Sequence, residues 1–180
     1  MRHIELNNEL MQRGPDGFFR LEKDREALDA FMAEVAQQSV EFPSVRDKLR
    51  FLIDNGYYED VYQRYDERTV EEIWNLAWSY RFRFASYMAA SKFYTDYALK
   101  TNDRKRILEH YPDRVAAVAL HLAQGDGKMA RELTAAMMEQ RLQPATPTFL
   151  NAGRRRRGEM VSCFLLEMDD TLNSINYVLG

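Results

Sequence analysis

Four small polar side chains near the C-terminal end of the sequence are the best candidates for chemistry. Cys163 is the single cysteine of the 180-residue chain and lies beside Ser162 in an otherwise apolar run, residues 160–166. Thr148 precedes this run and Asp170 follows it. The run is typical of a buried strand, and ligand sites in α/β domains concentrate where strands end and helices begin. A thiol, two hydroxyl groups and a carboxylate are therefore candidates for one site.

Cys163 has a second interpretation that the pattern leaves open. A lone cysteine in an apolar strand is most often a small buried hydrophobic residue, and its thiol is then inert. Side chains alternate along a strand, so Ser162 and Cys163 should face opposite sides. We assign the ligand-facing side to Cys163.

The histidines and arginines form no recognisable site. His3, His110 and His121 have no carboxylate or second histidine at metal-ligand spacing, so we predict ordinary core or surface roles and no metal site. The four arginines at Arg154–Arg157 are interpreted as a solvated turn. A contact with phosphate is the alternative, although no glycine-rich cradle or Walker lysine accompanies them.

Composition excludes several classes of protein. Glycine (8) and proline (5) are scarce, which favours long helices, and one cysteine excludes an internal disulfide framework or a multi-cysteine zinc site. The formal net charge of −3 gives no reason to expect nucleic-acid binding. No apolar run approaches the roughly 20 residues of a membrane span. We expect a cytoplasmic protein with neither a nucleic-acid nor a membrane partner.

Helical patterns precede the candidate residues. Residues 1–16 are polar and are predicted to be a flexible lead-in, and residues 17–142 are predicted to be a compact helical domain. Apolar spacing of three and four residues predicts six helices in this domain. They run over 24–38, from Ser44 to Asn55, from a capping box at Thr69, near 84–100, from Pro112, and from Asp126 to about Gln140.

Residues 143–180 have a different character. Pro144 and Pro147 are predicted to exclude helix and to force extended backbone. The strand follows at 160–166, and an amphipathic segment opens after Asp169-Asp170. A buried strand needs neighbours for its backbone hydrogen bonds, and the sequence contains no second strand pattern. We therefore expect 143–180 to be the incomplete start of a domain that continues beyond Gly180.

The same region resembles a known family. Four motifs carry the resemblance: QPATPTFLNAG at 143–153, RGE at 157–159, SCFLL at 162–166, and Asp169-Asp170. Three upstream blocks also match: KFYT at 92–95, ALKT at 98–101 and LEH at 108–110. The chain resembles the large, catalytic subunit of class Ib ribonucleotide reductases from about residue 20 onward. Because the sequence begins almost directly with the helical domain, we expect no N-terminal ATP-binding cone of the kind found in many class Ia enzymes, which favours class Ib.

The resemblance implies a fold and roles for the candidate residues. The fold would be mainly α, a helical domain followed by the first strand and helix of an α/β ten-stranded barrel. Cys163 would be half of a redox-active dithiol whose partner lies beyond residue 180. Thr148, Ser162 and Cys163 would contact the ribonucleoside diphosphate, and Asp170 would belong to an allosteric effector site.

The resemblance also implies partners. The chain itself would bind no cofactor, dNTP and ATP would act as effectors, and a dimetal-tyrosyl small (beta) subunit would supply a radical. The large subunits would form a homodimer, and thioredoxin or a glutaredoxin-like protein would be the reductant. An N-terminal fragment of this kind should be inactive alone. The alternatives are a helical interaction module that adds one strand to a partner's sheet, or half of a split reductase.

Overall fold

The computed structural model describes residues 1–163 and 165–179, and its regular elements in this part of the chain are all helical. This confirms the mainly α prediction. The α-helices are α1 (Arg2–Leu10), α2 (Glu22–Gln38), α3 (Val45–Asp54), α4 (Glu67–Ser79), α5 (Tyr87–Lys92), α6 (Tyr111–Ala123), α7 (Gly127–Met138), α8 (Thr146–Asn151) and α9 (Leu172–Leu179). A 3₁₀ turn covers Val61–Gln63, and a π-helical turn at Phe93–Tyr97 continues α5.

Helix α1 lies within the segment predicted to be a flexible lead-in. It packs against α2 and buries Leu6 and His3. His3 Nδ1 lies 2.9 Å from Glu34 Oε1, and its ring meets the ring of Phe31 edge to face. The face of α1 that contacts α2 has helical spacing but includes polar residues such as His3, and the prediction from the polar composition of this segment therefore missed the helix.

The six predicted helices are all present, and side-chain caps mark the starts of several of them, although α2 begins after Leu21 without one. Ser44 caps α3, with its Oγ accepting a hydrogen bond from the Asp47 amide at 3.1 Å, as predicted. The predicted cap at Thr69 is wrong. Asp66 caps α4 instead, and its Oδ1 accepts from the Thr69 amide at 2.8 Å. Both residues are good N-caps, and the helix starts at the earlier one.

Replacing Ser44 tests the cap of α3. We expect Ser44→Ala to lower the free energy of unfolding by about 1 kcal/mol, because the Asp47 amide loses its acceptor. Ser44→Thr keeps both the acceptor for the Asp47 amide and the hydroxyl donor to the Asp47 carboxylate, and it should retain most of the stability. Urea unfolding followed by circular dichroism measures both variants, and equal losses would contradict the capping role.

Helix α6 forms the centre of the core. Every residue of α6 except Tyr111 and Leu122 is buried, as expected for a helix that is apolar on all sides. It packs against α4, α7 and α8. The fully buried apolar side chains around it include Leu49, Leu52, Val70, Ile73, Trp74, Leu108 and Met137.

The strand predicted at 160–166 is wrong for the residues that the structure describes; Phe164 lies outside them. Residues 161–163 and 165–166 have no regular secondary structure, and Val161, Leu165 and Leu166 are 67%, 98% and 68% exposed. A strand needs a neighbouring backbone to pair with, and the described part of the chain contains no other strand. The first barrel strand is therefore not observed here.

Pro147 does not exclude helix, contrary to the prediction, whereas Pro144 lies in residues 142–145, which have no regular secondary structure. Pro147 lies in the first turn of α8. Backbone N–H groups in the first turn have no partner within the helix, so a proline there costs no hydrogen bond. The amphipathic segment after Asp170 does form a helix, α9. Over the described residues, no helix combines the length and the apolar character needed to cross a membrane.

Candidate functional site

Thr148 and the segment that carries Cys163 are joined by a hydrogen bond. The half-buried Thr148 on α8 donates from Oγ1 to the Met160 carbonyl at 3.2 Å. Met160 packs against the helical core, and Ser162 and the free thiol of Cys163 follow it on the surface. The structure thus brings α8 beside the start of the Cys163 segment.

Asp170 lies apart from this contact. It is exposed and precedes the first residue of α9 by two positions. Neighbouring residues make the hydrogen bonds at the start of α9. Thr171 Oγ1 accepts from the Ser174 amide at 3.2 Å, and Ser174 Oγ accepts from the Asp169 amide at 3.0 Å. Among the described residues, no hydrogen bond links Asp170 to Thr148 or to the Cys163 segment.

Helix α8 is held in place by a buried ionic network, defined here as Glu109, Arg114 and Arg154. Glu109 Oε1 accepts from Arg114 Nη1 at 2.9 Å, and Oε2 accepts from Arg154 Nη2 at 2.6 Å. The side chains of Glu109 and Arg114 are 0% exposed, and that of Arg154 is 12% exposed. Arg114 also donates to the carbonyl of Ala152, the residue that ends α8. The network therefore fixes the end of the helix that carries Thr148.

Glu109 remains charged inside the core. Burial alone raises the pKa of its carboxyl group, but the charges of Arg114 and Arg154 and hydrogen bonds from Tyr58 and the Leu99 amide outweigh burial and lower this pKa to about 2. Burial and the charge of Glu109 raise the pKa of Tyr58 well above its ordinary value. At neutral pH, Tyr58 is therefore a neutral donor to a carboxylate.

Gly153 allows the chain after α8 to approach α6 closely. Its φ is +75°, and a Cβ at this position would lie 3.1 Å from the Ala117 carbonyl oxygen. The next residue, Arg154, forms an antiparallel bridge with Tyr58, and the Gly153 carbonyl accepts from the Glu59 amide at 3.1 Å. Only glycine fits this backbone without strain.

A second buried cluster fixes the start of α6. The carboxylate of Asp113 accepts from Lys48 Nζ at 2.5 Å, Trp74 Nε1 at 2.8 Å and Trp78 Nε1 at 3.0 Å. It also accepts from the His110 amide at 2.8 Å, which completes the cap of the helix. Helices α3, α4 and α6 therefore meet at one carboxylate.

The histidines make hydrogen bonds within the helical domain. His121 Nδ1 lies 2.6 Å from Glu59 Oε1, and His110 Nδ1 lies 2.8 Å from the Tyr94 hydroxyl. Burial lowers the pKa of His110. In the part of the chain that the structure describes, no group of three or more His, Cys, Asp or Glu side chains could hold a metal ion.

The interpretation of the arginines as a solvated turn is wrong for Arg154, which belongs to the buried ionic network. Arg155, Arg156 and Arg157 are exposed. Sequence patterns missed Glu109 and Arg114 as organising residues. The one available signal was their position beside apolar runs, Ile107-Leu108 and residues 115–120, where an unpaired charge would be costly.

Comparison with known proteins gives a consistent result. Residues 3–82 match the family model described as "Ribonucleotide reductase N-terminal", and residues 83–157 match "Ribonucleotide reductase, all-alpha domain". Ribonucleoside-diphosphate reductase NrdEB subunit alpha of Bacillus subtilis is 53% identical over 175 residues, 96% of this chain and 16% of the relative. Ribonucleoside-diphosphate reductase subunit alpha of the same organism is 49% identical over 175 residues, 96% of this chain and 25% of the relative.

A more distant organism supplies a third match. Ribonucleoside-diphosphate reductase subunit alpha of Mycoplasma genitalium is 47% identical over 154 residues, 84% of this chain and 21% of the relative. The chain thus spans between 16% and 25% of the length of these relatives. The chain belongs to the family of ribonucleoside-diphosphate reductase alpha subunits and corresponds to their N-terminal region.

Proposed function

We propose that this chain supplies the helical domain and part of the active site of a class Ib reductase that converts ribonucleoside diphosphates to deoxyribonucleoside diphosphates. The observation that carries the proposal is the hydrogen bond from Thr148 to Met160, which holds the Cys163 segment beside a helix anchored by the buried ionic network. The names of the relatives support this substrate class. The remainder of an alpha subunit would complete the site.

Cys163 would act as one half of a dithiol. Reduction at the ribose 2′-carbon replaces a hydroxyl group, which leaves as water, with hydrogen, and it consumes two electrons and two protons. Two thiols supply them when their sulfurs join in a disulfide. The thiol of Cys163 is free and exposed, so it is available to a second cysteine from the remainder of the subunit.

Thr148 and Ser162 would bind the substrate, and Asp170 would bind the effector. Hydroxyl groups donate and accept hydrogen bonds without adding charge, which suits both ribose and phosphate oxygens. The exposed carboxylate of Asp170 would accept a hydrogen bond from a deoxyribose hydroxyl of a dNTP effector. ATP would be a further effector.

The partners follow from the same proposal. The alpha subunit would form a homodimer and would receive a radical from a dimetal-tyrosyl small subunit, which carries that metal site. Thioredoxin or a glutaredoxin-like protein would reduce the disulfide after each turnover. The compartment would be the cytoplasm.

Thr148→Val in the natural full-length protein tests the substrate contact. We expect kcat/KM for CDP to fall roughly tenfold, because the substitution removes both the proposed hydrogen bond to the substrate and the hydrogen bond to the Met160 carbonyl that holds the Cys163 segment. Thr146→Val is the matched control, since Thr146 lies on the same helix and its Oγ1 contacts the Tyr97 hydroxyl at 3.1 Å. Equal effects of the two substitutions would contradict the proposed role of Thr148.

A further inference from the structure

A cavity of about 370 Å³ is lined in part by Arg154 and lies apart from the candidate residues Thr148, Ser162, Cys163 and Asp170. The end of α3, the π-helical turn, the loop at residues 98–104 and the arginine run form its walls. The lining side chains that carry charge are Lys100, Arg104, Arg154, Arg156 and Asp96. Neither Thr148 nor Cys163 lines it.

The charges of this cavity are unbalanced. Four of the charged lining residues are cationic, and the carboxylate of Asp96 already pairs with Lys92. Within the described residues, Lys100, Arg104 and Arg156 form no ion pair. The cavity is therefore positive although the whole chain carries a formal charge of −3.

Arg154 contributes a donor that has no acceptor. Its Nη2 donates to Glu109 and to the Tyr97 carbonyl, so this edge of the guanidinium is satisfied. Its Nε is buried and has no hydrogen-bond partner among the described atoms. A buried donor without an acceptor is costly, and such groups commonly mark a bound water or ion.

We propose that this cavity binds the phosphate group of a small molecule. Arginine presents its donors in a planar fork that matches phosphate oxygens, and lysine adds a compact charge. Lys100, Arg104 and Arg156 would contact and neutralise the phosphate group, and the buried guanidinium group of Arg154, which retains an unused Nε–H, would add to the positive potential of the cavity. The concave shape favours a small ligand over an extended polyanion. The site is independent of the proposed reductase chemistry.

Calorimetric titration of pyrophosphate into the natural full-length protein, at constant ionic strength, tests the site. We expect one equivalent to bind with a dissociation constant below about 1 mM. Lys100→Gln and Arg104→Gln should each weaken binding roughly tenfold, because each removes a charge-assisted contact. Neither position belongs to the buried ionic network, so melting temperatures should stay unchanged.

Lys105→Gln and Arg20→Gln are the matched controls. Both residues are exposed and make the same change in net charge, but neither lines the cavity. Their binding should equal that of the unsubstituted protein. Absence of pyrophosphate binding at millimolar concentration, or equal weakening by control and cavity substitutions, would overturn the proposal.

Two further probes separate the sources of the phosphate group. Inorganic phosphate alone represents a free anion, and ribose 5-phosphate represents a phosphate carried on a sugar. Tighter binding of ribose 5-phosphate identifies a sugar phosphate, and equal binding identifies the anion itself. Because these titrations need no turnover, their outcome is separate from any loss of reductase activity.

Discussion

Glu109→Gln should lower the free energy of unfolding by about 3–5 kcal/mol, the loss expected when one partner of a buried ion pair is removed. The substitution keeps the shape of the side chain but removes the carboxylate that pairs with both Arg114 and Arg154. Its amide group also places a donor where the structure needs an acceptor. Urea unfolding of the chain, followed by the fluorescence of Trp74 and Trp78, measures the change.

Glu72→Gln is the matched control for this prediction. Glu72 also pairs with two arginines, Arg68 and Arg131, each at 2.9 Å, but this pair lies at the surface. Solvent screens exposed pairs, so the stability of this variant should remain close to that of the unsubstituted chain. If both substitutions destabilised the fold equally, burial would not be the reason for the importance of Glu109. Glu109→Asp keeps the charge and should lose less than Glu109→Gln.

The pH dependence of stability should reveal the same carboxylate. The folded state lowers the pKa of Glu109 from 4.5 to about 2, so its stabilising contribution is complete above the unfolded pKa and is lost as pH falls toward 2. The expected loss is roughly 3 kcal/mol. The difference in stability between the unsubstituted chain and Glu109→Gln should therefore shrink between pH 5 and pH 2. A difference that stays constant over this range would contradict the assignment.

Sequence patterns predicted the helices because their signals are local. Ser44 precedes α3 and Asp126 precedes α7, and in both helices the cap side chain accepts amide hydrogen bonds from residues two or three positions later. Such contacts form between residues that are close in the sequence. The spacing of apolar residues along a helix likewise depends only on which face of that helix is buried. Helix α1 was missed because its segment is mostly polar and one of its two buried side chains, His3, is itself polar.

The site depends on contacts that no local pattern contains. Glu109 and Arg154 are separated by 45 residues, and Lys48 and Asp113 by 65. Which charges meet is decided only when the helices pack. The predicted strand failed for a related reason, because an apolar run becomes a strand only beside another strand. The described part of the chain offers none, so residues 161–163 lie exposed on the surface.

Cys163→Ser in the natural full-length protein, assayed with its small subunit and reductant, should reduce multiple turnover to background. We expect a fall of at least about 10³-fold, because serine cannot form the disulfide that supplies two electrons. Cysteine and serine differ by one atom, so we expect the variant to keep its fold, and circular dichroism of both proteins checks this. Loss of activity without loss of folding would therefore identify the chemistry of the sulfur as the cause.

Substrate binding gives the control for this variant. Equilibrium binding of CDP to Cys163→Ser should remain within a few-fold of the unsubstituted protein, because the hydroxyl groups of Thr148 and Ser162 are still present. Mass spectrometry of the oxidised protein should find the Cys163 peptide joined to a second cysteine peptide, and the variant should lack this product. Retained turnover would show that Cys163 takes no part in electron transfer. The thiol would then be an ordinary surface cysteine, and the dithiol would have to lie elsewhere in the subunit.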